Sequence, residues 1–240
     1  MKSTKFGLSA AVLRWLALGC MLLDHLWGTV VPGNNWMNYV GRLAFPIFAF
    51  QIAQGYVHTH DFKRYSRRLG LFALISEIPF DLMLFSTPFF PFQQNVMLTL
   101  WLGLHSIHVI DQVRSRRRRP ILGAAQLAGL FLLGVILFPD YGLLGVLNVV
   151  LFYLLRDFPG AWAAQLAGMI AIHMFGFQGL SLPVSLWGHV FEIPTQSFAI
   201  LALIPIWLYN GKKGVYSPAL SYFSYVFYPA HMLLLALLRF

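Results

Sequence analysis

The sequence predicts an all-α, polytopic transmembrane helical bundle of about nine spans with its N-terminus inside. Three observations predict it. Of the 240 residues, 58% are hydrophobic and only 10% charged, whereas soluble domains carry about 25% charged residues. Apolar runs long enough for a bilayer core, which needs about 20 residues per helix, recur along the whole chain. Finally, the basic residues fall in alternate connections, as they do when cytoplasmic loops hold Lys and Arg.

Cutting the chain at charge clusters, Pro and Gly gives candidate segments at 9–31, 39–58, 68–86, 94–111, 120–138, 141–156, 160–176, 194–210 and 218–238. The N-terminal run has the outline of a signal peptide. It contains Arg14, Asp24 and His25 and lacks a small-residue cleavage site, so it reads as a retained first helix. The stretch 178–194, apolar but interrupted by prolines, reads as a re-entrant or interfacial segment. The chain is taken as one helical domain over 1–240. Its single cysteine, Cys20, excludes an internal disulfide framework.

Orientation follows from the loops. Lys2 and Lys5; Lys63, Arg64, Arg67 and Arg68; Arg114 and Arg116 to Arg119; Arg156; and Lys212 and Lys213 all fall on one side if the N-terminus is inside. They are fourteen of the 17 Lys and Arg residues, leaving Arg14, Arg42 and Arg239. The net charge of +9 is then a topology signal beside anionic lipid, and nucleic-acid binding is not expected. The predicted location is a membrane crossed several times, with the basic loops on the cytoplasmic side.

Titratable groups at membrane depth are costly and mark candidate sites. Arg14 and His25 are eleven positions apart, so they share a helix face about 16 Å apart along the axis. Asp24 adjoins His25 but points about a quarter-turn away. In the last segment His231 stands about 20 Å from the cytoplasmic end, a depth similar to that of His25, with Pro229 releasing a carbonyl nearby. Glu77 and Asp81, four apart, share a face of the third segment, and Arg42 is the expected counter-charge. Asp140 in an outer hairpin and Glu192 place further acids toward the outer half, which predicts a polar cavity open to that side. His173 and His189 read as hydrogen-bonded packing residues, and His105 and His108 as interfacial. His58, His60 and Asp61 form the one cluster with any metal-ligand character, and no metal site is expected.

At these residues the sequence resembles the TraX family of membrane proteins, named for the conjugative pilin acetylase. The matching stretches are LRWLALGCMLLDH (13–25), GRLAFPIFAFQIAQGYVHT (41–59), RLGLFALISEIPFDL (68–82), NVMLTLWLGL (95–104), DYGLLGVLNVVLFYLL (140–155), LIPIWLYNGKKG (203–214) and FYPAH (227–231). Gln54 departs from the pattern, standing where an acidic residue is expected before the Gly. The Arg14-x10-His25 spacing is also similar to the first-helix motif of the wider transmembrane acyltransferase group. That resemblance implies transfer of an acyl group from cytoplasmic acyl-CoA to an acceptor on the far side, with His25 matching the catalytic histidine and Arg14 its basic partner.

Elementary chemistry supports the expectation. Acyl transfer needs a base for the acceptor hydroxyl or amine, and imidazole suits near-neutral pH. CoA carries its phosphates far from its thioester, so basic groups at the cytoplasmic mouth can hold one end while the other reaches a deep histidine. Arg14, Lys212, Lys213 and Asn210 are the candidates for holding acetyl-CoA. His25 and His231, with Glu77 or Asp81 as the orienting carboxylate, are the catalytic candidates. Asp24, Arg42, Asp140 and Asn95 are assigned to structure or the acceptor site. The acceptor is expected to be a protein such as a pilin, a glycan or a lipid-linked sugar. A proton-coupled transporter, with Glu77, Asp81 and the histidines relaying protons, is the alternative, and a non-catalytic pilus or envelope assembly subunit the third reading.

Overall fold

The structure is a computed structural model that describes residues 7–177, 179–186, 188–215 and 217–239. The chain separates into two compact units, each assembled from two stretches. One comprises Met1–Phe48 with Leu155–Tyr216, the other Ala49–Leu154 with Ser217–Phe240.

The first unit is built on α1 (Ala10–Thr29), capped by Ser9, whose side chain accepts from the Val12 N–H. α2 (Asn35–Gly41) packs along it. The sequence reading ran 39–58 as one helix, whereas the chain breaks at Arg42 and resumes as α3 (Ala44–His58). Pro46 explains the break: its ring would strike the carbonyl of Arg42, four residues back, in a continuous helix. Later in the chain come α8 (Ala161–Ile170), a π-helical turn (Ala171–Gly176), a 3₁₀ helix (Thr195–Ala202) and α9 (Leu203–Trp207). Pro205 imposes the same restriction on Leu201, so the 194–210 segment is 3₁₀ before it is α. Leu13, Ala17, Leu18, Met21, Ala199 and Leu203 are buried here.

The all-α expectation needs one correction. Residues 181–194 form an antiparallel hairpin of β1 (Ser181–Leu186) and β2 (His189–Pro194), with Val184 opposite Phe191 and Leu182 opposite Ile193. Alternation places Leu182, Val184, Phe191 and Ile193 on one face and Ser181, Ser185 and Glu192 on the other, which is the two-residue period of a strand. Pro183 is tolerated because a two-stranded sheet has only edges. The region read as re-entrant is this hairpin.

The second unit contains the remainder of α3 together with α4 (Phe62–Phe85), α5 (Val96–Arg114), α6 (Pro120–Ile136), α7 (Gly142–Leu154) and α10 (Pro218–Arg239). α4 pairs with α10 and α5 with α7. The latter pair approaches closely at Gly103, where a Cβ would stand 2.7 Å from Val149 Cγ2. α4 starts earlier than the sequence reading placed it: Lys63, Arg64, Arg67 and Arg68 are helical, and Asp61 caps the helix by accepting the Arg64 N–H at 2.9 Å. Asp61, grouped with His58 and His60 in the sequence, therefore serves as a helix cap. Leu71, Leu74, Ile75 and Ile78, at helical spacing on α4, turn outward, with Leu74 76% exposed. Ile121, Leu122, Leu132, Val135 and Ile136 do the same on α6.

By length and composition, α1 and α5 are the described helices able to cross a membrane. α6, α7, the α8–π run and the 3₁₀–α9 run are shorter apolar helices.

Candidate functional site

The first unit holds one end of the expected donor site. The segment 208–214 wraps the start of α1. Leu8 N–H donates to Leu208 O at 2.7 Å, Ala10 N–H to Lys212 O at 2.9 Å and Ala11 N–H to Lys213 O at 3.1 Å. Helix N-termini leave their first N–H groups without intrahelical partners, and here loop carbonyls satisfy two of them. Asn210 fixes the loop: its Nδ2 donates to Gly7 O at 2.9 Å and its Oδ1 accepts the Lys212 N–H at 3.0 Å. Its amide, assigned to acyl-CoA from the sequence, is engaged in positioning the two lysines. Lys212 and Lys213 are exposed and Arg14 is half-buried. Arg14 lies about 4.5 Å along the axis from Ala11, so three cationic side chains gather near this helix end, whose macrodipole adds to their positive potential.

His25, about 16 Å further along the helix, is half-buried, and its carbonyl accepts the Thr29 hydroxyl at 2.6 Å. The adjacent Asp24 faces α2. Its Oδ1 accepts from Asn38 Nδ2 at 2.9 Å and from Arg42 Nη2 at 2.7 Å, and its Oδ2 accepts from the same nitrogen at 2.9 Å. Gly41 permits this approach, since a Cβ there would stand 2.7 Å from Asp24 Oδ1. The sequence assigned Arg42 to Glu77 and Asp81. The helix break at Arg42 instead turns its guanidinium onto Asp24, in the same unit. Arg42 Nη1 continues to Gln196 Oε1 at 3.2 Å, and Gln196 Nε2 contacts His173 Nδ1 at 3.1 Å. His173, read as a packing residue, is fully buried in the π-helical turn.

The second unit holds the other candidates. Glu77 Oε2 accepts from the Asn95 side-chain amide and, at 3.4 Å, from its backbone N–H. Asn95 also donates to Ala73 O at 2.7 Å and caps α5 by accepting the Met97 N–H at 3.0 Å. Its amide is thereby occupied in joining α4 to α5. Asp81 is buried, and its Oδ2 accepts the Phe90 N–H at 2.8 Å, holding the turn after α4. Asp140 secures the connection between α6 and α7 through its backbone. Its N–H donates to Gln94 O at 2.7 Å, and its carbonyl accepts the Thr99 hydroxyl. His231 is buried with Nδ1 2.7 Å from Phe227 O, and its ring stacks on Phe227. A carbonyl only accepts, so Nδ1 carries the proton and Nε2 the lone pair when the ring is neutral. Arg239 donates to Met83 O at 2.9 Å.

The sequence reading missed a cluster at the other end of this unit. Asp111 Oδ2 accepts from Tyr56 at 3.0 Å, and its Oδ1 accepts from Tyr153 at 2.8 Å. His108 Nδ1 lies 3.0 Å from the Tyr56 hydroxyl and its Nε2 lies 2.9 Å from Gln112 Nε2, while Phe62 stacks on its ring at 3.6 Å. The available signal was the spacing of His105, His108 and Gln112 on one α5 face.

The profile of the TraX family, described as "TraX protein", matches residues 9–239. The chain belongs to the TraX family. It is 26% identical over 251 aligned positions to the "Probable fimbrial assembly protein FimC, serogroup H1" of Dichelobacter nodosus, covering 97% of this chain and 96% of that protein. No solved structure matches it. The TraX profile spans both units, so each unit contributes residues to whatever the family shares.

Proposed function

We propose that this TraX protein is a multi-pass acyltransferase of the bacterial cytoplasmic membrane. In this reading it moves an acetyl group from cytoplasmic acetyl-CoA to an acceptor at the outer face. One observation carries the reading: Arg14, Lys212 and Lys213 gather at the start of α1, and His25 stands on that helix about 16 Å away. The basic end suits CoA phosphates through charge-assisted hydrogen bonds, and the histidine is separated from it by a span suited to the extended pantetheine arm.

In the proposed step His25 takes the proton of the acceptor hydroxyl or amine. The acceptor heteroatom adds to the thioester carbonyl, the carbon–sulfur bond breaks, and the departing thiolate recovers the proton from the imidazolium. Asp24 and Arg42 form an ion pair that anchors the His25 turn of α1 to α2. In the second unit His231 donates its Nδ1 proton to Phe227 O. Glu77, Asp81 and Asp140 shape the outer half of that unit. The outward apolar stripes of α4 and α6 support embedding in lipid, since a water-facing stripe of that size would promote aggregation. The nine-span, N-inside topology rests on the basic loops.

The relative's printed name favours a place for this chemistry in fimbrial assembly, with a fimbrial subunit as acceptor. A non-catalytic assembly role is the reading that competes with it. Purified protein in lipid nanodiscs with labelled acetyl-CoA tests the choice. Thioester hydrolysis or transfer to an envelope fraction, abolished in His25→Gln, is expected. Wild-type protein that neither hydrolyses nor transfers acetyl groups, while still binding assembly partners, would refute the enzyme reading.

A further inference from the structure

At the connection between α6 and α7, Phe138, Tyr141 and Gly142 adopt left-handed backbone, with φ of 50°, 67° and 50°. Glycine enters that region freely, whereas Phe and Tyr do so at a cost. Backbone hydrogen bonds hold them there. Gln94 N–H donates to Phe138 O at 3.0 Å and Asp140 N–H to Gln94 O at 2.7 Å. Gly142 N–H donates to Pro139 O at 2.7 Å and Gly145 N–H to Tyr141 O at 2.8 Å. Strained residues that their surroundings hold in place recur at ligand clamps. The connection so held borders a cleft of about 430 Å³, together with Phe92, Gln93 and Val135. That volume lies within the range of small-molecule sites.

The lining selects among ligands. Phe92 and Phe138 are 68% and 56% exposed. Ring contacts fix Phe92: it meets Phe90 edge-on at 5.8 Å, and Phe90 stacks on Phe85 at 4.0 Å. Gln93 is half-buried and adds an amide that both donates and accepts. Its neighbour Gln94 gives its amide to Pro91 O at 3.0 Å, whereas the Gln93 amide has no such partner among the described residues. No Lys or Arg lines the cleft, so an anionic ligand would find no counter-charge. The irregular backbone of 137–141 makes a hydrocarbon chain a poor occupant, because such backbone does not face lipid. A sugar ring matches what remains. Its C–H groups gather on a face that packs against an aromatic ring, and its hydroxyls lie round the edge, where an amide can donate to one and accept from another.

We propose that this cleft binds an uncharged or N-acetylated sugar, with the ring packed on Phe92 and Phe138 and its hydroxyls bonded to the Gln93 amide. The sugar belongs to the acceptor, and one of its hydroxyls receives the acyl group. In that transfer the sugar O–H and thioester C–S bonds break, while an ester C–O bond and a thiol S–H bond form. The acceptor duty rests on the acyl-transfer reading; the binding does not. Under the fimbrial reading the ring is part of a glycan carried by the subunit.

The test is saturation-transfer difference NMR of the full chain in lipid nanodiscs, with the N-acetylglucosamine trimer chitotriose as probe. Saturating the protein's aromatic protons should attenuate the ring C–H signals of the sugar. Phe92→Ala and Gln93→Leu should each weaken binding about tenfold, the scale of one aromatic contact or one hydrogen bond. Both residues lie outside the helices, and CoA affinity equal to wild type checks that each variant folds. With chitotriose as acceptor in the acetyl-CoA assay, KM for the sugar should rise by the same factor with kcat unchanged. Wild-type protein that gives chitotriose no saturation would overturn the proposal, as would binding unchanged in both variants. So would a cleft that takes the peptide Gly-Lys-Gly, with loss in Phe92→Ala, and not the sugar: it would be an amine site. Sugar binding without acetyl-CoA turnover would refute the acyl-transfer reading and leave the sugar site standing. Turnover without sugar binding would do the reverse.

Discussion

The Asp24–Arg42 pair offers the sharpest test of how the first unit is held together. Each side chain retains about a fifth of its exposure, 21% for Asp24 and 22% for Arg42, at a separation of 2.7 Å. That places the pair between two regimes. Exposed ion pairs contribute about 0–1 kcal/mol, and removing one partner of a fully buried pair costs about 3–5 kcal/mol. Arg42→Leu leaves Asp24 with the Asn38 amide alone, and removes the Gln196 contact as well. An intermediate cost of about 2–3 kcal/mol is expected on these grounds. Asp24→Asn keeps the shape and one acceptor oxygen, so it should cost less, and the double variant should cost little more than Arg42→Leu. A double-mutant cycle read by denaturant unfolding in nanodiscs should give a coupling of about 1–2 kcal/mol, within the range for residues in one network. Gly41→Ala is an independent perturbation of the same contact, because its Cβ would press on Asp24. It should destabilise wild type more than it does the Asp24→Asn/Arg42→Leu background. Strictly additive losses across the cycle would refute the claim that this pair joins α1 to α2.

The remaining predictions concern other parts of the chain. Arg14→Ala and the double variant Lys212→Ala/Lys213→Ala should weaken acetyl-CoA binding more than turnover; titration with CoA and dephospho-CoA checks this, and unchanged affinity in both would confine these residues to topology. His25→Ala and His25→Gln should both lose about 10²–10⁴-fold in rate, the usual cost of a general base, and His231→Ala less; near-full turnover in His25→Gln would remove the base from the mechanism. Tyr56→Phe and Tyr153→Phe each delete a hydrogen bond to the Asp111 carboxylate and should each cost about 1.5–3 kcal/mol; unfolding midpoints equal to wild type would show that Asp111 is satisfied by other means. Reporter fusions should place residues 114–119 in the cytoplasm and residue 240 outside, and a cytoplasmic C-terminus would rule out nine spans.

Much of the helix order was legible because apolar runs and prolines are local signals. Every candidate segment contains helix in the structure, and the Lys212–Lys213 loop lies against the start of α1. What escaped the sequence was mostly non-local. Whether Arg42 meets Asp24 or Glu77 depends on the direction of the chain after a helix break, and the break itself depends on where the Pro46 ring would collide. The hairpin at 181–194 was obscured because its two-residue period is short and interrupted by Pro183. Asn95 and Asn210 illustrate a different difficulty. Polar residues in an apolar chain attract functional readings, yet one caps α5 and the other ties a loop. The Tyr56–His108–Asp111 cluster could have been found from spacing on α5, but its tyrosines come from α3 and α7, which only the fold brings there.

The histidines show what the structure adds to a sequence reading based on depth. By position along their helices His25 and His231 are alike, and His173 is one more apolar-segment histidine. Hydrogen-bond direction separates two of them. Phe227 O fixes a proton on Nδ1 of His231. Gln196, oriented by Arg42, turns its NH₂ group toward Nδ1 of His173, the opposite arrangement. A proton-relay transporter would need histidines that both take up and release protons along a path. A ring whose Nδ1 is held by Gln196 is poorly suited to that.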